Sequence, residues 1–426
     1  MPVLRPFRAL RYDTTRAPIG DVVAPPYDVI SPDQQDRLYE RHPWNVVRLI
    51  LGREADRYAS AAATLKAWQA EKVLVRDEQP AIYTLHQTFA GPTGTPITRR
   101  GFIALCRLEE FDKRIVLPHE KTLSKAKEDR FKLFQATNSN FSQVFSLYWD
   151  AEKLVDAALN GAARQQPTTE VLFEEVQNRM WRVDDPAIVN KVVRIMTDKQ
   201  VLIADGHHRY ETGLAYRDLM RAKNPGHTGE ELYNYIMMFF CNLEDEGLVI
   251  YPTHRIVHSL PSFNRAAFLQ KLEASFVTRE MNSLATLQAA LSAASSRSFG
   301  MVFAGDQKFW MASLRPTLKA AQVVPDHMPV EVKELDVALL HTVVLRDILG
   351  ISAEAQEKKL NLDYVKGADE AVAAVRERKA QLSFILNATR LDEVRAAARA
   401  GHVMPQKSTY FYPKLLSGLV FNLMQD

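Results

Sequence analysis

The chain has 426 residues, 46% hydrophobic and 25% charged, which excludes the disordered, fibrous and disulfide-scaffold classes; beyond roughly 250–300 residues single cores stop growing, so two or three packed units are expected. Lys and Arg total 54 against 51 Asp and Glu, a net charge of +3 with no long run of one sign, so charge alone would not drive binding to nucleic acid. The two cysteines, Cys106 and Cys241, lie in apolar stretches outside any C-x-x-C pair, which removes the usual thiol-metal and redox motifs and predicts buried, inert thiols.

Met1-Pro2-Val3-Leu4-Arg5-Pro6 lacks the layout of a signal peptide, and no apolar run reaches about 18 residues; a cytoplasmic location and no membrane partner are expected. Residues 22–24 read as a short strand, and Pro25-Pro26-Tyr27-Asp28-Val29-Ile30 as stiff non-helical backbone, better suited to a pocket wall than to catalysis. Ser31 and Pro32 start a helix as N-cap and first helical residue, and a second helix is expected at 56–71. A hairpin follows, with strands 81–89 and 97–108 around the Gly-Pro-Thr-Gly turn at 91–94. Then come an apolar strand ending in Pro118-His119-Glu120, a polar helix over 124–135, and strands at 143–149, 170–175 and 180–183. A helix over 186–195 leads to the apolar strand 200–204, a long amphipathic helix over 207–221 and a buried strand at 233–243. Strands feeding helices make the fold class α/β, mixed α+β with a mixed sheet. Leu260-Pro261-Ser262 reads as a linker between an N-terminal α/β domain, 1–258, and a C-terminal α/β domain, 259–426. The latter holds elements at 265–273, 284–294, 300–303, 308–311, 335–349 and 381–386, then a dense polar segment at 404–414 and an apolar closing element.

The chemistry concentrates at Asp205-Gly206-His207-His208-Arg209, between an apolar strand and a helix. A helix N-terminus presents unpaired N–H groups and the positive end of a dipole, so it receives phosphate or carboxylate readily. Gly206 lets the backbone approach closely, and Arg209 with His207 and His208 adds donors for the same anion. Asp205 can cap the helix or hold a metal ion. The ends of strands in α/β proteins are also where ligands bind.

A metal site is the competing reading, because His207 and Glu211 are four apart and His208 and Glu211 three apart, spacings that share a helix face. These supply too few ligands for zinc unless His119, Glu120 or His254 joins them. Magnesium held through a substrate phosphate, with Asp205 and Glu211 nearby, suits the residues better. His119 and Glu120 precede a helix rich in cations, with Lys121, Lys125, Lys127, Arg130 and Lys132. Glu120 is a candidate general base with His119 as its companion. Pro252-Thr253-His254-Arg255 and the cluster Lys407-Ser408-Thr409 with Lys414 are further candidates for anion contacts.

The segments Val23 to Ile30, Pro118-His119-Glu120, Ala204 to Glu211, Gly247-Leu248 with Pro252 to Arg255, and Pro405 to Pro413 closely resemble, in order along the chain, the prokaryotic family named domain of unknown function 1015. The Asp-Gly-His-His-Arg run also resembles the phosphate-binding motif of the ParB and sulfiredoxin-like superfamily, which includes free serine kinases. That resemblance implies a ParB-like core near 117–220 in which Asp205, Gly206, His207, His208 and Arg209 bind nucleotide phosphate and Glu120 takes the proton of a substrate hydroxyl. It points to a nucleotide-dependent phosphotransferase for a small hydroxylated metabolite, free serine first; such transfer calls for ATP or ADP and Mg²⁺, with Arg255 and Lys407, read from the residues above, as added phosphate contacts. Two alternatives stand beside it: a non-catalytic nucleotide-binding or DNA-associated protein, opposed by the near-neutral charge, and a metal-dependent hydrolase built on His207, His208 and Glu211.

Overall fold

The computed structural model describes residues 1–120, 124–325 and 327–425, the side chains of 124–126 excepted. The chain is mixed α/β and divides into two units. The first comprises Met1–Pro118, Thr122–Val249 and Pro413–Asp426, the second His119–Lys121 and Ile250–Tyr412. Where the sequence suggested a division after residue 258, the chain enters the second unit after Val249 and returns to the first at Pro413.

In the first unit, among the described residues, nine strands form one sheet. They are β1 (Leu4–Arg5), β2 (Ile82–Ala90), β3 (Pro96–Arg107), β4 (Val116–Leu117), β5 (Val144–Tyr148), β6 (Thr169–Phe173), β7 (Val176–Val183), β8 (Val201–Asp205) and β9 (Tyr235–Asn242). Their order is β4-β8-β5-β9-β3-β2-β7-β6, with β1 against β3. The sheet is mixed: β8 runs parallel to β4 and antiparallel to β5, and β9 runs parallel to β5 and antiparallel to β3. Every residue of β9, Tyr-Ile-Met-Met-Phe-Phe-Cys-Asn, is buried, as a central strand covered on both faces requires. Cys106 and Cys241 are free and buried in this layer, and burial pushes the Cys106 thiol up to about 12.

Among the described residues, the longer helices of this unit are α1 (Pro32–Arg41), α2 (Arg57–Ala70), α3 (Ser124–Thr137), α4 (Pro186–Met196) and α5 (His207–Lys223). Their starts follow local chemistry. Ser31, Asp56 and Asp185 each accept a backbone N–H of the first turn, and Pro32 and Pro186 occupy the first helical position. Along α5 the buried residues include Arg209, Tyr210, Gly213, Tyr216 and Arg217, the three-and-four spacing of one helical face. Gly213 sits on that face because a Cβ there would lie only 3.0 Å from Ile236 and 3.1 Å from Leu108.

The second unit is built on a six-stranded antiparallel sheet, β11-β13-β12-β15-β10-β14, from β10 (His254–Val257), β11 (Phe276–Met281), β12 (Ser298–Phe303), β13 (Phe309–Leu314), β14 (Leu362–Val365) and β15 (Leu382–Ile385). Alternate residues feed separate cores. Val257, Met301, Phe303 and Phe384 pack with helix α6 (Arg265–Leu272), while Ile256, Val302 and Ile385 pack with α7 (Leu284–Ser292) and α8 (Ala368–Arg376). This is the period of two that puts successive strand residues on opposite faces.

Some local expectations give way. Val22 ends a short helical turn, Ile19–Val22, and Ala24 makes only an isolated bridge to Ser417. The side chain of Asn45 donates to the carbonyls of Asp21 and Val23, so these groups need no strand partner despite the β-branched sequence. The stiff segment that follows contains one 3-10 turn, Tyr27–Val29.

Gly101 of β3 is pressed against β9: a Cβ there would strike the Phe239 ring and the Phe240 carbonyl. Overpacking of this kind usually costs about 1–3 kcal/mol. Gly101→Ala is therefore expected to lower the melting temperature. An unchanged melting curve would show that these two central strands separate without penalty.

Candidate functional site

The Asp-Gly-His-His-Arg segment lies where β8 is irregular. Ile203 pairs with Ser146, yet the next residue to find a partner on β5 is Asp205, opposite Phe145. The bulge leaves Ala204 out of register, and bulges redirect the side chains that follow. Gly206 then adopts φ +90° and ψ 29° as the N-cap of α5, a left-handed conformation that only glycine enters freely. The sequence offered Asp205 as a cap; Gly206 takes that place without a side-chain cap bond. The bulge leaves the Asp205 carboxylate for another task.

That task is to join two cations. Asp205 Oδ2 accepts from Arg209 Nη2 and Oδ1 accepts from Lys414 Nζ, each at 2.7 Å. Arg209 Nη1 also donates to the Gln143 carbonyl. The Arg209 guanidinium folds over Gly206, where a Cβ would stand 2.8 Å from Arg209 Cζ. Tyr27 lies in the field of Arg209, and burial pushes its phenol up to about 12; Arg130 stacks 3.9 Å from the Tyr27 ring centre. His207 is buried and His208 half-buried. Successive helical residues turn by about 100°, so the five residues of the motif cannot all aim at one point.

Lys414 owes its position to a buried arginine. Arg99 Nη2 donates to Pro413 O at 2.6 Å and to Gln87 Oε1, and Gln87 Nε2 donates to Lys414 O at 3.4 Å. Arg99 is fully buried, 4.6 Å from the Phe145 ring centre. Burial pushes its guanidinium down to about 10. Among the described residues its Nε and Nη1 have no hydrogen-bond partner.

In the second unit, His119 and Glu120 meet on Thr409, and Arg255 meets the Lys407 carbonyl. His119 is fully buried and shares a hydrogen bond of 2.8 Å between Nε2 and Thr409 Oγ1. Glu120 Oε1 accepts from Thr409 N at 3.0 Å and Thr409 Oγ1 at 3.1 Å. The Met404 amide donates to the His119 carbonyl at 2.7 Å. Arg255, expected as an anion contact, is instead spent internally: it donates to His341 Nε2 at 3.2 Å, to the Thr253 carbonyl, and to the Lys407 carbonyl at 2.9 Å. Burial pushes Arg255 down to about 10 and holds His341 well below its usual range, neutral and able to accept. Lys407 is exposed, with a left-handed backbone, φ +56°. His254, considered above as a metal ligand, accepts from the Leu386 amide at 3.2 Å, and burial pushes it down to about 4.

The metal readings fit poorly. Asp205 is engaged by Arg209 and Lys414, and Glu211 Oε2 by Lys127 Nζ at 2.7 Å. Among the described residues, no group of three His, Cys, Asp or Glu is placed to hold a metal ion. The two residues expected near Mg²⁺, Asp205 and Glu211, are thus each paired with cations of the chain. Lys121 and the Lys125 side chain lie outside the described residues. Among the described residues, no helix is long and apolar enough to cross a membrane.

The model of the family described as "Protein of unknown function (DUF1015)" matches residues 4–338. The chain belongs to this family. No curated protein matches it. Solved structures with some likeness include a conserved hypothetical protein from Pyrococcus furiosus, 14% identical over 71% of this chain and 88% of that one, TM-score 0.35. A free serine kinase variant in complex with AMP is 12% identical over 71% and 85%, TM-score 0.36. SbnI with C-terminal truncation, from Staphylococcus aureus, is 9% identical over 75% and 86%, TM-score 0.36. Superpositions this loose carry no argument about chemistry in the family member described here.

Arg99 escaped the sequence reading because a charged residue within a hairpin strand looks like a solvated one. Lys414 was read as a candidate anion contact within the 404–414 polar segment, but its pairing with Asp205 was not legible there. The turn itself makes a sharp prediction: Gly206→Ala combines left-handed strain, about 1–3 kcal/mol, with displacement of the Arg209 guanidinium. Its melting temperature should fall, and a wild-type value would mean that the turn relaxes without holding Arg209.

Proposed function

We propose that the Asp205–Arg209 turn binds the phosphates of a nucleotide and that the protein is a nucleotide-dependent phosphotransferase for a small hydroxylated metabolite, with free serine the first candidate acceptor and ATP or ADP the donor. One observation carries the reading: a bulged strand end and a left-handed glycine open the 17-residue helix α5, and two cations converge there on a single carboxylate. Unpaired first-turn N–H groups and the helix dipole favour an anion at such a place. Arg209 adds a planar fork of donors suited to phosphate oxygens.

Phosphoryl transfer asks a protein chiefly for clamped phosphates and an oriented nucleophile. In this reading Gly206, His207 and His208 supply backbone and ring donors, and Arg209 supplies charge. Glu120, its Oε1 oriented by Thr409, accepts the hydroxyl proton as general base, with His119 bonded to the same Thr409 hydroxyl. The motif's similarity to the ParB and sulfiredoxin-like phosphate site supports the same assignment.

Calorimetric titration with ATP, ADP and CTP, with Mg²⁺ in the buffer, tests the first half. Wild type is expected to bind, and Arg209→Ala to weaken binding by about 10- to 100-fold, the loss of hydrogen bonds to a charged group. No binding by wild type sinks the proposal. For the second half, Glu120→Gln should cut phosphotransfer by about 100-fold while leaving nucleotide affinity unchanged. Equal turnover would remove Glu120 from the mechanism.

A further inference from the structure

We infer that Lys414 is a phosphate-contacting residue of the same turn and adds positive charge to it; the inference rests on the reading that the turn binds phosphate. Consider the charges alone. Arg209 and Asp205 are ion-paired at 2.7 Å, so together they are neutral, and Glu211 with Lys127 at 2.7 Å is a second neutral pair. Lys414, bound to the remaining oxygen of Asp205, brings the cluster of Asp205, Arg209 and Lys414 to a net charge of +1. Arg99 also lies in the field of Asp205 but is wholly buried, so of these two further cations Lys414 is the one with an edge toward solvent. With it, an arriving anion meets a real excess of charge in a partly desolvated place, where charge acts most strongly.

Accessibility agrees with this role. The side chains of Lys414 and Asp205 are 15% and 21% exposed, so the pair keeps an edge for a ligand, while the Arg209 side chain is only 7% exposed. Lys414 is thus the more exposed of the two cations.

The backbone that carries Lys414 is held more firmly than a surface lysine needs. Arg99 is separated from Pro413 by 314 positions, yet its guanidinium lies wholly inside the unit and donates to the Pro413 carbonyl. Two of its nitrogens lack hydrogen-bond partners among the described residues. An isolated buried cation costs several kcal/mol unless it is compensated; rings at 4.6 Å and 5.7 Å compensate only part. Such an arrangement is intelligible if its product is a fixed backbone at Pro413 and Lys414, whose carbonyls accept from Arg99 and Gln87 in turn. Lys414 then stands preorganised, with Asp205 as its counter-ion until an anionic ligand arrives.

The test titrates ADP and, separately, inorganic phosphate into the full chain, as wild type, Lys414→Gln and Lys414→Arg, at several salt concentrations. Gln keeps a donor toward Asp205 and removes the charge; Arg keeps the charge. The expected result is at least a tenfold loss of ADP affinity and a shallower salt dependence for Lys414→Gln, with Lys414→Arg close to wild type and all three melting alike. If Lys414→Gln melts early, Lys414→Met at a temperature where it is folded must show the same loss and the same shallower slope. Binding by wild type that both neutral variants reproduce in affinity and salt slope overturns this inference alone. Absence of any binding by wild type overturns the phosphate reading and this inference with it.

Discussion

The two hydrogen-bonded ion pairs on the Asp205 carboxylate organise the first unit around its turn. Each 2.7 Å contact joins a different part of the chain: Arg209 belongs to the helix that starts at the turn, and Lys414 to the segment that returns after the second unit. A carboxylate shared in this way requires the strand to deliver it at an angle that regular pairing would not, and the bulge at Ala204 provides that angle. It also requires space beneath the guanidinium, which a residue with a Cβ at 206 would fill. The bulge and the glycine, two residues apart, and the closing segment, 209 positions from Asp205 at Lys414, therefore meet one requirement together.

The second unit shows the same device with another outcome. Arg255 spends its guanidinium on His341, Thr253 and Lys407, two of them through backbone carbonyls, so it shapes the 404–409 loop rather than binding a ligand. Shaped in this way, the loop presents Thr409, whose amide and hydroxyl meet Glu120 while its hydroxyl also meets His119. Cations read from the sequence as ligand contacts thus separate by burial. Arg255 is structural and lies at 2% exposure, as does the unread Arg99 at 0%, whereas Lys414 keeps an edge to solvent.

Much of the fold was legible because its signals are local. Caps at Ser31, Asp56 and Asp185, the Gly91 to Gly94 turn and the uniformly apolar run of β9 each mark an element by short-range chemistry. Elements whose apolar content is slight were not seen. β11 buries only Phe276 of its six residues, and the helix Leu391–Arg399 buries Val394 and two alanines. The candidate turn was legible for the same local reason, since a glycine and three basic residues follow an apolar strand. What could not be read was partnership. Asp205 with Lys414, Arg99 with Pro413, and Glu120 with Thr409 are separated by 209, 314 and 289 positions, and no periodicity reports contacts at that range.

This distinction bears on how the motif acts. Read as a string, Asp-Gly-His-His-Arg looks like five donors for one anion, but folded it is a glycine hinge, a carboxylate and an arginine that neutralise each other, and two imidazoles on a turning helix. An internally paired Arg209 binds an anion well only if something else tips the local balance, because separating it from Asp205 without compensation would expose a partly buried carboxylate, and unpaired buried charge is disfavoured. A lysine on the other carboxylate oxygen supplies that compensation: Asp205 can release Arg209 toward a ligand and still keep Lys414, or release Lys414 and keep Arg209. The shared carboxylate makes either exchange possible without leaving a charge alone, so under the proposed phosphate reading the closing segment takes part in the turn's chemistry as much as the motif does.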